Sequence, residues 1–406
     1  MATEIKHCRV CGNTTLEPIL SLGDMPPVNS FLAGPQDFPK ETFAPLAIVF
    51  CAPCGHVQLT HQLDPKDVFT DYIYFSAMSE TVVRWGQQLA ARYATEKSLQ
   101  KQQLVAELAS NDGCILKPFR DHCRVLGVEP AKNIAEVANK DGVPTVAEFF
   151  NFAMGQKLRA EHGPAELVMA RNVLAHVPDL VDFVKGVHHW LSDDGIFHVE
   201  VPYLRPMVDH LEFDTIYHEH LSYFSVTALH RLFREAGLTL WDVEEIPLHG
   251  GSLIARGKRN ATPKPSVATY LEAEKRDGYT SNTKLHAFAD GTRKLKTALP
   301  EFLHGLKKQG PLAAYGAAAK GVVLTNYCRI GPDLLSWVAD RSPYKQGKLT
   351  PGMHLPVVPA ERVLADQPRH LLVLAWNFFD EIVKQQDAYR QAGGKFVVPV
   401  PSPQVR

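Results

Sequence analysis

Leu104-Val105-Ala106-Glu107-Leu108-Ala109-Ser110-Asn111-Asp112-Gly113 joins a short apolar run to a turn of small and polar residues that ends in glycine. The run is too short for a helix and reads as a buried strand. The turn carries the chain over the end of that strand, the place where a parallel sheet lets a ligand approach backbone amides. Further strands follow at Arg124 to Glu129, Leu167 to Arg171 and Ile196 to Val201, with helical stretches between them. Strands alternating with helices mean an α/β fold with a parallel sheet.

Outward from this centre the pattern changes in both directions. Val82, Trp85, Leu89 and Tyr93 recur at helical spacing and lead into the first strand. Before them, residues 1–75 are rich in proline, glycine and short apolar runs, and read as a small loop-rich module with two cysteine pairs. Downstream, Phe183, Val184, Val187 and Leu191 give one apolar face to a helix that Asp193, Asp194 and Gly195 end. A further helix is expected at Val226 to Ala236. Thr239 to Ile246 and Ser252 to Arg256 form an antiparallel edge across Gly250 and Gly251, closing a unit over residues 76–260. Two prolines between Thr262 and Pro265 mark a linker, and polar helices run from Val267 to Lys308. Strand candidates at Leu312 to Tyr315, Leu335 to Ala339, Leu371 to Trp376 and Phe396 to Val400 then make residues 261–406 a second, smaller doubly wound domain.

With 406 residues the chain exceeds a single core, and 45% hydrophobic against 21% charged residues is the balance of a globular protein. A net charge of -1 gives no footprint for nucleic acid and no polybasic anchor for a membrane. No apolar segment approaches the roughly 20 residues of a membrane span, and Met1 to Lys6 has no apolar signal character, so a cytoplasmic protein is expected. Seven cysteines, an odd number, fit a reducing compartment. Oligomeric state is not legible, and a monomer is the simplest expectation.

Cys8-x-x-Cys11 and Cys51-x-x-Cys54 can together place four thiolates on one tetrahedral zinc. Four sulfurs leave no open position, so the metal is expected to be structural. Glu129 ends the strand after Glu107, and a carboxylate there can accept both hydrogen bonds of a ribose diol. The turn has Gly113 but no G-x-G-x-x-G, which favours an adenosine ligand without a pyrophosphate, such as S-adenosylmethionine. Tyr217-His218-Glu219-His220 packs four titratable or hydrogen-bonding groups onto a segment leading to a helix, a cluster suited to acid and base work. His176 and Tyr74 are further candidates. In the last domain, Tyr315-Gly316-Ala317 ends a strand and Lys320 opens a helix, where amides and one cation can face a pyrophosphate.

The ordered motifs of the chain resemble those of the sugar C-3'-methyltransferases of branched-deoxysugar pathways, which act on nucleotide-linked 4-keto sugars. The resemblance is carried by the cysteine knuckles, Tyr72-x-Tyr74-x-Ser76, Asn111-Asp112-Gly113, Gly127-Val128-Glu129-Pro130 and Asn172-x-Leu174-x-His176. Phe213-Asp214-x-Ile216-Tyr217-x-Glu219-His220, His249-Gly250-Gly251, Tyr315-Gly316-Ala317-x-Ala319-Lys320 and Thr350-Pro351-Gly352 continue it. It implies an N-terminal zinc module, a Rossmann-like methyltransferase domain and a C-terminal Rossmann-like domain without cofactor, with the active site between the last two. It further implies His220 as general base, with Tyr217, Glu219, His176 and Tyr74 around the reacting carbon. The cofactor would be held by Ser76, Ser79, Glu107, Ala109, Asn111, Glu129, Glu148 and Asn172, and the substrate by Glu200, Tyr203, His249, Lys320 and Lys345. Thymidine diphosphate is the usual carrier in that family, and guanosine diphosphate is the alternative. Glu219 or Glu200 would orient His220, and Tyr217, Tyr74 or a protonated His176 would face the ketone oxygen. The family usually has glycine where Ala109 stands, and alanine fits there provided the backbone avoids positive φ. Two rivals stand beside this reading: transfer to nitrogen or oxygen of a sugar or small metabolite, and a zinc-containing binding protein with an inactive methyltransferase fold.

Overall fold

A computed structural model of the chain describes residues 2–64, 75–246 and 251–406. Among these, strands assemble into a four-stranded, a seven-stranded and a six-stranded sheet, with a two-stranded pair beside them. The N-terminal part is more regular than its proline content suggests. Strands β1 (Glu17–Met25), β2 (Ala44–Cys51) and β3 (His56–Leu59) form an antiparallel meander, with Cys51 ending β2 and Cys54 in the turn to β3. The expectation of a loop-rich module fails because the short apolar runs pair as strands, β1 burying Ile19, Leu20, Leu22 and Met25 across two register shifts against β2.

Helix α1 (Glu80–Glu96) has Ser79 as its N-cap and buries Leu89, Ala90 and Tyr93. Strands β4 (Leu104–Leu108), β5 (Arg124–Val128), β6 (Thr145–Val146) and β7 (Ala165–Arg171) are followed by α2 (Leu180–Trp190) and β8 (Leu191–Pro202). Asp193, Asp194 and Gly195 lie inside β8 rather than ending the helix, with a register shift between Leu191 and Ile196 where they stand. Next come β9 (Ser222–Tyr223), α3 (Val226–Glu235), β10 (Thr239–Ile246) and β11 (Ser252–Lys258). The seven-stranded order is β10-β11-β8-β7-β4-β5-β6, and the antiparallel β10–β11 pair forms the expected edge. Leu104, Ala106 and Leu108 pack to one face of this sheet and Val105 to the other, the period of two that both-sided burial requires.

Strand β4 lies between β5 and β7, so the chain reverses its direction of travel across the sheet at β4. Leu108 is level with Val128 and Ala170. The residues that follow each of them therefore emerge together over one crevice, the usual ligand position in such sheets. The short strand β9 does not join this sheet. It pairs with β3, Tyr223 opposite Val57 and Ser222 opposite Gln58, and so completes the N-terminal sheet from within residues 76–260.

Helices α4 (Pro265–Arg276) and α5 (Thr283–Lys307) lead to the last sheet. It contains β12 (Leu312–Tyr315), β13 (Val338–Asp340), β14 (Val357–Pro359), β15 (His370–Val373), β16 (Lys395–Val398) and β17 (Gln404–Val405), with α6 (Ala319–Cys328) after β12. Three of these strands are shorter or shifted relative to the sequence reading, because the apolar runs continue into buried loop residues such as Leu335, Leu374 and Val400. The order β14-β13-β12-β15-β16-β17 places a second reversal at β12, with Tyr315 level with Ala339 and Val373. Among the described residues, no helix is long and apolar enough to cross a membrane.

Candidate active site and metal centre

The ends of β4, β7 and β12 all open on one cavity of about 1960 Å³. A single small-molecule pocket occupies roughly 300 to 1,000 Å³, so this one has room for two ligands side by side.

At the first end, Ala109, Asn111 and Gly113 have φ of 53°, 51° and 76°. Ala109 therefore sits in the left-handed region, and the condition under which alanine was expected to fit is not met. Its methyl group costs conformational energy there, of order 1–2 kcal/mol for an L-residue. The turn is held all the same: Asn111 Oδ1 accepts from Ser76 N at 2.8 Å, and Asp112 Oδ2 from Ala77 N at 2.8 Å. Glu129 accepts from Asn111 N at 3.0 Å and from Ala131 N at 2.9 Å, which leaves two of its four lone-pair sites for a ribose diol.

Below the turn, Glu107 is buried, and burial pushes it up to about 8 although Arg171 Nη1 lies 3.5 Å from its Oε1. Its Oε2 has no hydrogen-bond partner among the described residues. A buried carboxyl with an orphaned oxygen on a cavity wall fits the ammonium of an amino-acid cofactor. Asn172, with φ of 52°, and the exposed Glu148 also line this end. Ser79 does not line the cavity: its hydroxyl accepts from Val82 N and caps α1.

Glu200, expected at the substrate, does not line the cavity either. It takes hydrogen bonds from Trp85 Nε1 at 2.7 Å and Arg171 Nε at 2.9 Å, with His198 Nε2 at 3.1 Å. Burial opposes its charge, but Arg171 and His198 outweigh burial and hold Glu200 down to about 2. It is an internal brace that fixes Arg171.

His220 lines the same cavity and has no carboxylate partner among the described residues. Its Nδ1–H donates to the Thr215 carbonyl at 3.0 Å, which leaves Nε2 as the acceptor for the Tyr217 hydroxyl at 2.7 Å. Neither Glu219 nor Glu200 orients it; the backbone of Thr215 does. Burial keeps the His220 pKa well below the usual imidazole range, so the ring is neutral. His176 packs edge-on to it at 5.0 Å and donates from Nδ1 to the Glu219 carbonyl at 2.7 Å. Burial lowers His176 too, so the protonated His176, one of three candidates to face the ketone oxygen, is disfavoured. Glu219 is pushed up by burial to about 7, against the pull of Asn29 and Lys345. Ser222 and Tyr223 pair with β3, so the tetrad precedes a strand before it reaches α3. Tyr74 and His249 lie outside the described residues.

At the far end, Lys320 Nζ is buried without a hydrogen-bond partner among the described residues and lies 4.4 Å over the Trp376 ring. Trp376 Nε1 in turn donates to Asp214 Oδ2 at 2.7 Å. Lys345 Nζ donates to the Ala317 carbonyl at 2.8 Å. Arg341 and Lys348, which the sequence reading missed, line the same end. Tyr203 reaches the wall as well, but its hydroxyl is bound to Glu274 at 3.0 Å. Arg171 and Asn29 were also missed. Arg171 ends β7, close to the strand ends where Glu107 and Glu129 stand, which was its one legible signal, whereas Asn29 sits in a proline-rich loop with none.

The four cysteines converge. Cys8 and Cys54 Sγ are 3.5 Å apart, as are Cys11 and Cys51, and all four ligand atoms lie within 4.8 Å of one another. A tetrahedron with metal–sulfur bonds of about 2.3 Å has edges of about 3.8 Å, so the set fits zinc. The neighbouring Cys54 thiol pulls Cys8 down to about 5, while burial raises Cys51 and the hydrogen bond to Cys8 raises Cys54, so without a cation the set carries one thiolate.

Three family models match the chain in order: a zinc binding domain over residues 8–69, a methyltransferase domain over 58–243 and a C-methyltransferase C-terminal domain over 247–401. The C-methyltransferase NovU of Streptomyces niveus is 35% identical over 406 residues, 99% of this chain and 97% of that one. Among solved structures, the magnesium protoporphyrin IX methyltransferase ChlM of Synechocystis PCC 6803 with bound SAM is 11% identical. The match covers 47% of this chain and 86% of that chain at a TM-score of 0.35. The CcbJ methyltransferase of Streptomyces caelestis is 18% identical over 43% of this chain and 90% of that chain, at a TM-score of 0.34. A methyltransferase sheet preceded by a four-cysteine knuckle defines the class: an enzyme that uses S-adenosylmethionine and carries zinc. Within that class, the chain belongs to the C-methyltransferase family.

Proposed function

We propose that the enzyme methylates C-3' of a nucleotide-linked 4-keto-6-deoxy sugar, thymidine diphosphate being the favoured carrier and guanosine diphosphate the alternative. The observation that supports this reading is the Tyr217–His220 pair, a hydroxyl on an imidazole nitrogen at 2.7 Å, on the wall of a cavity that Glu107, Glu129, Lys320 and Lys345 also line. Residues 76–260 would hold the cofactor and residues 261–406 the nucleotide, with residues 1–75 as the zinc module.

A saturated sugar carbon becomes a nucleophile only when a proton beside a ketone is removed. His220, neutral and fixed in its Nδ1–H tautomer, offers Nε2 for that proton. Tyr217 shares its hydroxyl with that nitrogen and can turn it to the charge growing on the ketone oxygen. Glu219 supports a second assignment of the base, since a carboxyl pushed up to about 7 is matched to neutral pH. Glu107, Asn111 and Glu129 would hold S-adenosylmethionine, with Ser76, Ala109, Glu148 and Asn172 around them. The cofactor supplies an electrophilic methyl group when bound. Lys320, with Lys345, Arg341 and Lys348, would face the diphosphate, and Tyr203 the sugar.

The test is incubation with S-adenosylmethionine and a panel of nucleotide-linked 4-keto-6-deoxy sugars, read by mass and proton spectra. One methyl gained on carbon, with solvent deuterium entering that same carbon of substrate not yet methylated, supports the reading. Methyl on oxygen or nitrogen, or turnover with none of the panel, defeats it.

A further inference from the structure

The N-terminal module does more than carry a metal. Pro27, Asn29 and Ser30 belong to the wall of the large cavity. Asn29 Nδ2 donates to Glu219 Oε1 at 2.8 Å, a contact across 190 residues of sequence. Glu219 is 8% exposed, and its Oε2 has no partner among the described residues on a side chain that lines the cavity.

What holds Asn29 is the opposite side of the cleft. Leu32 exchanges backbone hydrogen bonds with Leu349 at 3.0 and 2.9 Å, and Phe31 lies under Lys345 with Nζ 5.3 Å from its ring. Further on, Glu41 accepts from Gly352 N at 2.8 Å and pairs with His354 Nε2 at 2.5 Å. Val28, Leu59, Leu324 and Leu355 share one buried cluster, so the module and the C-terminal domain have a continuous core. The loop is thus a strap tied to the C-terminal domain that reaches a proton-handling residue of the middle one.

We propose that Asn29 is a positioning residue for methyl transfer: by binding one oxygen of Glu219 it presents the other to the substrate. The inference rests on the reading above, in which Glu219 handles a proton. Among the described residues, Asn29 of the strap and Lys345 of the C-terminal domain act on the Glu219 carboxyl, and the neutral His176 of the middle domain binds the Glu219 backbone carbonyl. An amide donor favours the carboxylate, so its loss must raise the Glu219 pKa, and a second carboxyl in its place must raise it further.

Infrared difference titration of the zinc-loaded full chain tests this without substrate. The band of protonated Glu219 is identified by its absence in Glu219→Gln. In Asn29→Ala its midpoint is expected to rise by about half to one pH unit, and in Asn29→Asp by more, with zinc content unchanged. A midpoint unmoved in both variants overturns the proposal. Failure of the native enzyme on the whole sugar panel would sink the functional reading instead, and it leaves the titration free to judge the Asn29–Glu219 link.

Discussion

The Tyr217 hydroxyl and the His220 Nε2 atom lie 2.7 Å apart, with ring centroids 3.9 Å apart. The tautomer that makes this contact is set by the Thr215 carbonyl on the other ring nitrogen. Replacing His220 by Asn removes the acceptor. Turnover is expected to fall about 10²- to 10⁴-fold, and deuterium from solvent should stop entering the substrate carbon. Tyr217→Phe keeps the base and removes one donor, so exchange should persist while methylation slows. Undiminished exchange in His220→Asn would move the base to Glu219.

Ala109 offers a stability test. Its φ of 53° suits glycine, whose freedom in the unfolded chain offsets part of the gain. Ala109→Gly is expected to gain about 0.5–1 kcal/mol and to raise the thermal midpoint by roughly 1–3 °C. S-Adenosylhomocysteine affinity, followed by calorimetry, should hold or improve. A lower midpoint would show that the methyl group makes a contact worth more than the strain.

How far the sequence could be read follows from where each signal lies. The run from Leu104 to Leu108 announced a buried strand, and its turn and the acidic end of the next strand announced the crevice, because those signals are local. The four cysteines were legible for the same reason. Two kinds of contact were not. Ser222 and Tyr223 give no periodicity over two residues, so their pairing with Gln58 and Val57 could not be foreseen. The partner of His220 was misassigned because adjacency to Glu219 in sequence says nothing of side-chain direction: Glu219 turns to Asn29, and Thr215 supplies the acceptor from its backbone.

That same pairing makes the metal matter for the site. Cys54 precedes β3, whose Leu59 N–H donates to the Leu221 carbonyl at 3.0 Å, one residue past His220. Chelation of zinc, or Cys51→Ser, is expected to destabilise the protein by at least ~3 kcal/mol. Hydrogen-exchange mass spectrometry should then show faster exchange at Leu221, Ser222 and Tyr223 as well as in β2 and β3. Exchange confined to the knuckles would mean that β9 holds without them.

Buried carboxyls should also give the free enzyme an unusual pH dependence. Burial raises Glu107 to about 8, Glu219 to about 7 and Asp214 to about 6. Each is above its unfolded value of roughly 4, so the folded state binds more protons between those limits. Stability from these groups is complete below about pH 4 and is lost as pH rises through 6, 7 and 8, at up to ~1.4 kcal/mol per group and pH unit. Glu200, held down to about 2, acts in the opposite sense, and its contribution disappears only as pH falls from about 4 toward 2. Buried histidines held neutral, such as His176 and His220, oppose this decline below about pH 6.5, so thermal midpoints of the cofactor-free protein are expected to fall between about pH 7 and pH 8.5. Glu107→Gln, which is neutral throughout, should flatten the upper part of that decline. Because an ammonium bound at Glu107 would favour its carboxylate, S-adenosylhomocysteine should stabilise the enzyme more at pH 8.5 than at pH 6; a pH-independent gain would place the ammonium elsewhere.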